Sequence, residues 1–358
     1  MKPTQQLHEL GQSLWLDNIT RDMLADGTLR RYIDELSVTG LTSNPTIFDK
    51  AITGGDAYDE QLSALTDQGN APEETFFELA LTDLRDAAKM FEPVHERTDR
   101  VDGFVSLEVS PLLADDADAT IAQAAELHER AACNIYIKIP GTDAGRRAIE
   151  ESIFAGVPIN VTLLFSTDQY LGSADAFMRG IERRIEAGLD PDIPSVASVF
   201  VSRWDLAVGD AVPTELRNRL GIAVAQRAYR AYRELLDSLR WQRLANEGAR
   251  PQRLLFASTG TKDPQASDVL YVEALAAPFT INTMPDKTLV AFADHGEVGD
   301  PLPADGGDAD EVLAKFREHG IEEGELAARL QEEGAEAFVK SWRDLLDSIA
   351  SEAQRLAA

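Results

Sequence analysis

Eight short apolar runs, each followed by a stretch able to form a helix, occupy the first four-fifths of the chain and constrain its fold more than any other feature. They are "LWLDNI" (14–19), "VTGLTSN" (38–44), "GFVSLEV" (103–109), "NIYIKIP" (134–140), "PINVTLL" (158–164), "SVASVFV" (195–201), "RLLFAST" (253–259) and "PFTINTM" (278–284). Between them lie helical patterns such as "DATIAQAAELHERA", "TDAGRRAIEESIFA" and "TELRNRLGIAVAQRAYRAYRELLDSL". Strands that alternate with helices in this way predict a parallel sheet, and eight of them predict an α/β fold of the (β/α)8 TIM-barrel class. The structural rival is a doubly wound open sheet, but no G-x-G-x-x-G fingerprint follows the first run. A length of 358 residues suits either two ordinary domains or one large barrel with additions. The expectation is one barrel domain over residues 1–358, with strands at about 13–285, additional N-terminal helices and a helical extension at about 308–358. In that extension Gly320 and Gly334 read as helix stops. "DHGEVGDPLPADGGDAD" reads as a mobile connection within the domain. The extension could cap the barrel mouth and help exclude water.

Polar residues share a phase along these strands. Side chains alternate faces, so residues of one parity point together. Val105, Leu107 and Val109 take one face of their strand, and Ser106 and Glu108 the other. Ile135, Ile137 and Ile139 oppose Tyr136 and Lys138; Ile159, Val161 and Leu163 oppose Asn160 and Thr162. Val199 and Val201 oppose Ser198, Phe200 and Ser202, and Leu14 and Leu16 oppose Trp15 and Asp17. In a barrel the aliphatic face meets the helices, and the polar residues converge on the C-terminal mouth, where such folds carry their chemistry.

Each residue also has a purely structural reading. Asn44 in "TSNPT" can start a turn before proline, and Asp17 can cap a helix at "TRDMLAD". Glu108 and Lys138 can form a buried ion pair, and Asn160, Thr162 and Ser198 can hydrogen-bond between strands. These readings weaken when all must hold at once, because barrel interiors favour bulky aliphatic residues at such layers.

Composition narrows the chemistry. A formal charge of −28 argues against non-specific nucleic-acid binding, while leaving room for a local basic pocket. No run approaches the ~20 apolar residues of a membrane helix, and "MKPTQQLHEL" lacks the apolar core of a secretory signal. The one cysteine, Cys133, excludes an intramolecular disulfide and any multi-cysteine metal site. A cytoplasmic setting is therefore expected. No His–carboxylate cluster suits a hydrolytic metal, and the five histidines are widely spaced, so a metal-dependent mechanism is not expected.

Lysine is used sparingly, eight times against twenty-six arginines, yet Lys138 sits between Ile137 and Ile139. Burial penalises an ammonium, so a lysine in a dry strand is suited to present a free amine. Such an amine can attack a carbonyl to form a Schiff base, an electron sink for breaking or making carbon–carbon bonds. Carbinolamine dehydration then needs proton carriers, and Asp17 and Glu108 are the available carboxylates.

"GLTSNPTIF" (40–48) and "IYIKIPGTDAG" (135–145) resemble the two signature segments of transaldolases, and the order of "LWLDNI", "SLEVSP", "INVTLLFS", "SVFVSR" and "FASTGTKDP" is similar to that family over about residues 13–290. The resemblance implies a (β/α)8 barrel that transfers a dihydroxyacetone unit between phosphorylated sugars with no metal and no organic cofactor. It implies Lys138 as the Schiff-base nucleophile and Asp17 as acceptor of the hydroxyl proton in the retro-aldol step. Glu108 would move protons through a water that Thr162 helps to hold. Asn44, Asn160 and Ser198 would bind hydroxyls of the three-carbon unit, and Arg203, Ser258 and Lys262 the phosphate. Phosphorylated sugars are then the expected partners, and nucleic acid and membrane are not; a homodimer is the expected assembly, though no motif specifies it.

The chain departs from the family pattern at two places. Gly260 stands where the better-known members carry a second phosphate arginine, and Lys262 could replace it or be an ordinary exposed turn residue. Val199 replaces a common proline, with little effect expected. Phe200 occupies the place where related fructose 6-phosphate aldolases tend to have tyrosine, which favours transfer over release. Two rivals stay open: a class I aldolase using the same lysine with water as acceptor, and a catalytically silent barrel that binds sugar phosphates.

Overall fold

The structure, a computed structural model, describes residues 1–357. Its strands are β1 (Ser13–Asp17), β2 (Val38–Thr42), β3 (Val105–Glu108), β4 (Ile135–Pro140), β5 (Ile159–Leu164), β6 (Ser195–Phe200), β7 (Arg253–Ala257) and β8 (Ile281–Met284). Every pairing is parallel, in the order β2-β1-β8-β7-β6-β5-β4-β3. The seam between β2 and β3 is bridged where the Leu41 N–H donates to Phe104 C=O at 3.0 Å and the Gly103 N–H to Thr39 C=O at 2.9 Å. Ser43 Oγ adds a bond to Ser106 C=O at 2.8 Å. The eight strands thus form the expected barrel, each a little shorter than its apolar run. At β2 the cause is Pro45, which opens the Pro45–Thr53 helix and makes Asn44 its cap.

Strand parity sorts the core into two layers. Val105, Leu107, Ile135, Ile137, Ile139, Ile159 and Val161 point outward into one large cluster shared with the surrounding helices. Inward lie Trp15, Phe104, Tyr136, Val196, Leu255 and Ile281, which plug the lower half of the barrel. Phe104 and Tyr136 stack at 4.2 Å between ring centroids. Asp102 anchors this plug from below by accepting from Trp15 Nε1 at 2.8 Å and from Ser13 Oγ. Water is thereby kept from the floor beneath Lys138, two residues beyond Tyr136.

The helices depart from the sequence reading in two places. Residues 214–239 do not form one helix. A 3-10 turn at Thr214–Leu216 gives way to Asn218 at φ +60°, and a new helix runs over Leu220–Asp237. Its buried N-terminal amides at Leu220 and Gly221 are capped by the Asp205 carboxylate at 2.9 and 3.1 Å. Ser238 then caps a further helix, Leu239–Asn246. Secondly, Gly320 does end a helix, at φ +78°, but Gly334 does not. One helix runs unbroken over Glu323–Ala357, and residue 358 lies outside the described residues. Gly334 is used for close approach instead: an added Cβ would lie 3.0 Å from Leu163 Cδ2. Among the described residues, no helix is long and apolar enough to cross a membrane.

The terminal helix and the Ala309–Glu318 helix share a second apolar cluster with Leu163, Phe165 and Trp204 at the C-terminal end of the barrel. Their docking exploits an irregularity in β5. Leu163 adopts φ +57°, the register with β6 shifts between Val161 and Leu164, and the Leu163 carbonyl leaves the ladder. Gln331 Nε2 from the terminal helix satisfies it at 2.8 Å and reaches Gly141 C=O at 3.3 Å.

Closure of the barrel makes a specific demand on Gly40. A Cβ there would fall 2.6 Å from Phe104 O and 2.7 Å from the Trp15 indole. Gly40→Ala is expected to lower unfolding free energy by about 2–3 kcal/mol through overpacking at the seam. Gly55→Ala, where an added Cβ meets nothing within 4 Å, stays within about 0.5 kcal/mol. Urea denaturation midpoints of the two variants check the difference.

Candidate active site

A cavity of about 380 Å³ opens at the C-terminal mouth of the barrel. Asp17, Asn44, Lys138, Asn160, Thr162, Ser198, Phe200, Arg203, Ser258 and Lys262 all line it. Of the residues expected from the sequence only Glu108 is not on the wall; it sits behind Lys138, with Oε2 3.5 Å from Nζ. Register explains this, since Glu108 pairs with Lys138 and Lys138 with Asn160 on three neighbouring strands. Their side chains must therefore stand side by side inside the barrel.

Lys138 and Glu108 are 6% and 7% exposed, so neither has water to solvate its charge. The Lys138 ammonium donates to Ser43 C=O at 2.8 Å. Burial pushes the Glu108 carboxyl up to about 6, against the opposing pull of Lys138. Glu108 Oε2 and Thr162 Oγ1 are buried without a hydrogen-bond partner. Two such unsatisfied oxygens beside a lysine mark a place prepared for a ligand or a reacting water.

Asp17 ends β1, and burial likewise raises its pKa, opposed by Lys138, Thr42 and Lys262. Its Oδ1 accepts from Thr42 Oγ1 at 2.8 Å, and Thr42 in turn accepts from Thr283 Oγ1 at 2.8 Å. The helix that follows is capped by Thr20, so Asp17 is not a helix cap. Asn44 is one: its Oδ1 accepts from the Ile47 N–H at 3.1 Å. Its amide nitrogen makes no hydrogen bond to any described residue, which leaves it for a ligand. Asn160 and Ser198 combine both readings, because Ser198 Oγ donates to Asn160 Oδ1 at 2.7 Å and Asn160 Nδ2 to Ser106 Oγ at 3.2 Å, while both face the cavity.

Arg203 and Lys262 lie two and three strands round the barrel from Lys138, after β6 and β7. Among the described residues Arg203 has no ion pair within 4 Å, and burial lowers its pKa against a weaker opposing pull from Glu333. Ser258, at φ +56°, meets Ser202 Oγ at 2.9 Å and closes the turn after β7. Lys262 is exposed, as the plain turn reading expected, and still lines the cavity. The glycine at 260 has a steric cause: a Cβ there would start 3.0 Å from Pro285 Cγ. This turn has no room for an arginine at that position unless Pro285 shifts.

Sequence reasoning missed several wall residues. Thr42 and Thr283 lie near the ends of β2 and β8, and the polar parity of those strands is the signal for them. Lys50, on the Pro45–Thr53 helix, brings the cations of the cavity wall to four, with Lys138, Arg203 and Lys262. Scarcity of lysine was a usable signal for it. Ala337, Phe338 and Ser341 come from the terminal helix, whose path across the mouth no local pattern encodes.

Four cations and one carboxylate on the walls, in a chain of net charge −28, select an anionic ligand. Arg203→Ala is expected to weaken binding of a sugar phosphate about 10- to 100-fold, the worth of a charge-assisted contact, while leaving the unphosphorylated sugar nearly unaffected. Calorimetric titration of both ligands checks this, and an equal loss for both would make Arg203 structural.

Comparison with known proteins agrees with this geometry. The family described as transaldolase/fructose-6-phosphate aldolase matches residues 14–349. The chain is 46% identical to a transaldolase of Thermobifida fusca, with 99% of each chain covered. It is 44% identical to a transaldolase of an Arthrobacter species, covering 97% of this chain and 96% of that one. It is 43% identical to transaldolase 2 of Streptomyces coelicolor, covering 99% and 98%. With a barrel of this topology, a buried lysine at its mouth and full-length likeness to these proteins, the chain belongs to the transaldolase/fructose-6-phosphate aldolase family.

Proposed function

We propose that this chain is a transaldolase that moves a dihydroxyacetone unit from sedoheptulose 7-phosphate to glyceraldehyde 3-phosphate, giving erythrose 4-phosphate and fructose 6-phosphate. The observation that carries the reading is Lys138: an amine buried on the inner face of β4, beside a carboxyl of raised pKa, at the edge of a cationic cavity. Ionised Glu108 takes a proton from Lys138 Nζ through a water, the freed amine attacks the ketose carbonyl, and Glu108 returns the proton so that the carbinolamine loses water and becomes a Schiff base. The unpartnered Thr162 Oγ1 holds that water. Asp17 takes the proton of the C4 hydroxyl; the C3–C4 bond breaks, its electrons pass into the iminium, and an enamine of dihydroxyacetone stays on the lysine. Asn44, Asn160 and Ser198 hold its hydroxyl groups. The aldose phosphate leaves from the Arg203, Ser258 and Lys262 end. The acceptor aldehyde enters there, and the steps run in reverse.

The whole chain acts as one unit in this scheme, because the terminal helix supplies part of the cavity wall. A cytoplasmic place of action fits the single cysteine and substrates that carry phosphate.

Borohydride reduction in the presence of fructose 6-phosphate, followed by peptide mass mapping, is expected to leave a stable three- or six-carbon adduct on Lys138. Lys138→Ala is expected to fold normally and lose both adduct and turnover. An unmodified wild-type protein, or an active folded Lys138→Ala variant, excludes the mechanism. The Glu108 carboxyl must be ionised to accept a proton, so turnover is expected to fall as pH drops through about 6. Glu108→Gln should lower kcat by about 10²-fold or more and remove that acid limb, as read from a pH–rate profile.

A further inference from the structure

We propose that Phe338, on the terminal helix, keeps bulk water from the Lys138 intermediate and so commits the three-carbon fragment to transfer rather than release. This rests on the Schiff-base reading above. The Phe338 ring centroid lies 6.0 Å from Lys138 Nζ, and the ring lines the cavity. It also closes a separate niche of about 10 Å³ bounded by Glu108, Val109, Pro140 and Leu163. A space of that size holds about one water. Phe338 therefore separates two regions: a one-water niche at the proton carrier, and the open mouth above the amine.

The helix that carries it is fixed in place. Gln331, Gly334, Phe338 and Ser341 follow one another at spacings of three and four residues, so they share one helical face. Gln331 binds the Leu163 and Gly141 carbonyls, and Gly334 allows close packing on Leu163. At the far side Ser341 Oγ accepts from Thr46 Oγ1 at 3.0 Å, next to the Asn44 cap. Phe338 lies between these attachments and packs against the cluster that contains Leu163 and Phe165. A ring held at both ends in this way is a wall, not a free side chain.

The chemical need is specific. After the aldose phosphate leaves, the enamine carbon is a nucleophile that can attack an acceptor aldehyde. If a solvent water protonates that carbon first, the enamine becomes an iminium. A second water then adds to C2, the carbinolamine collapses, and dihydroxyacetone leaves with the lysine amine regenerated. Atoms balance in both outcomes, and the choice depends on whether solvent reaches the enamine carbon before the aldehyde does. Productive turnover still needs one water at Glu108 to close the cycle. A bulky apolar group beside a one-water niche meets both requirements. Phe338 is a positioning residue here: it acts on where water can go and donates no proton.

The test measures partition. Full-length wild type, Phe338→Ala, Phe338→Val and Phe338→Leu are given fructose 6-phosphate and erythrose 4-phosphate, and free dihydroxyacetone is quantified against sedoheptulose 7-phosphate formed. Phe338→Ala is expected to raise the ratio of release to transfer about tenfold or more, Phe338→Val less, and Phe338→Leu should hold it within about threefold of wild type. If release and transfer fall together at a constant ratio in the variants that fold, the ring is merely structural and the proposal is overturned. Borohydride trapping of the same samples separates the two claims. An adduct with an unchanged ratio overturns only the role of Phe338, whereas no adduct in wild type overturns the Schiff-base reading beneath it.

Discussion

A lysine and a glutamate held 3.5 Å apart inside a closed barrel depend on almost everything else in the molecule. Neither is hydrated, so each needs the other and the few polar atoms around them. Their proximity follows from strand register, their dryness from the aromatic plug below, and their access to ligand from the polar mouth above. Replace the plug with small residues and water reaches the amine from beneath. Slip β3 by one residue and Glu108 turns to the helix side. The site is thus a property of the assembled barrel, not of two residues.

Strand parity is the reason much of this was legible beforehand. A closed parallel barrel leaves each inward side chain one direction in which to point, so Asp17, Lys138, Asn160, Thr162 and Ser198 could be placed together from alternation alone. Asn44 was harder, because an Asn-Pro turn has an ordinary structural use, and the structure assigns it that use as well as a place on the wall. The division of roles between Glu108 and Asp17 came from resemblance; alternation has nothing to say about which carboxylate does what.

The misread features have physical causes. Gly334 has the composition of a helix stop, but helix ends depend on backbone conformation, and here a tertiary contact with Leu163 decides its use. The break at Asn218 was invisible because a buried carboxylate from another helix, Asp205, caps the restart. Lys50 and Phe338 reach the cavity from a helix face and from a segment distant in sequence, and only three-dimensional closure brings them there. Each miss involves a partner far along the chain.

The terminal helix also bears on the order of events during synthesis. All eight strands precede it, so the barrel and Lys138 are translated before the segment that walls the mouth. Until Gln331 meets the Leu163 carbonyl and Ser341 meets Thr46, the amine faces an open vestibule. The segment that walls the mouth is therefore made after every strand it covers.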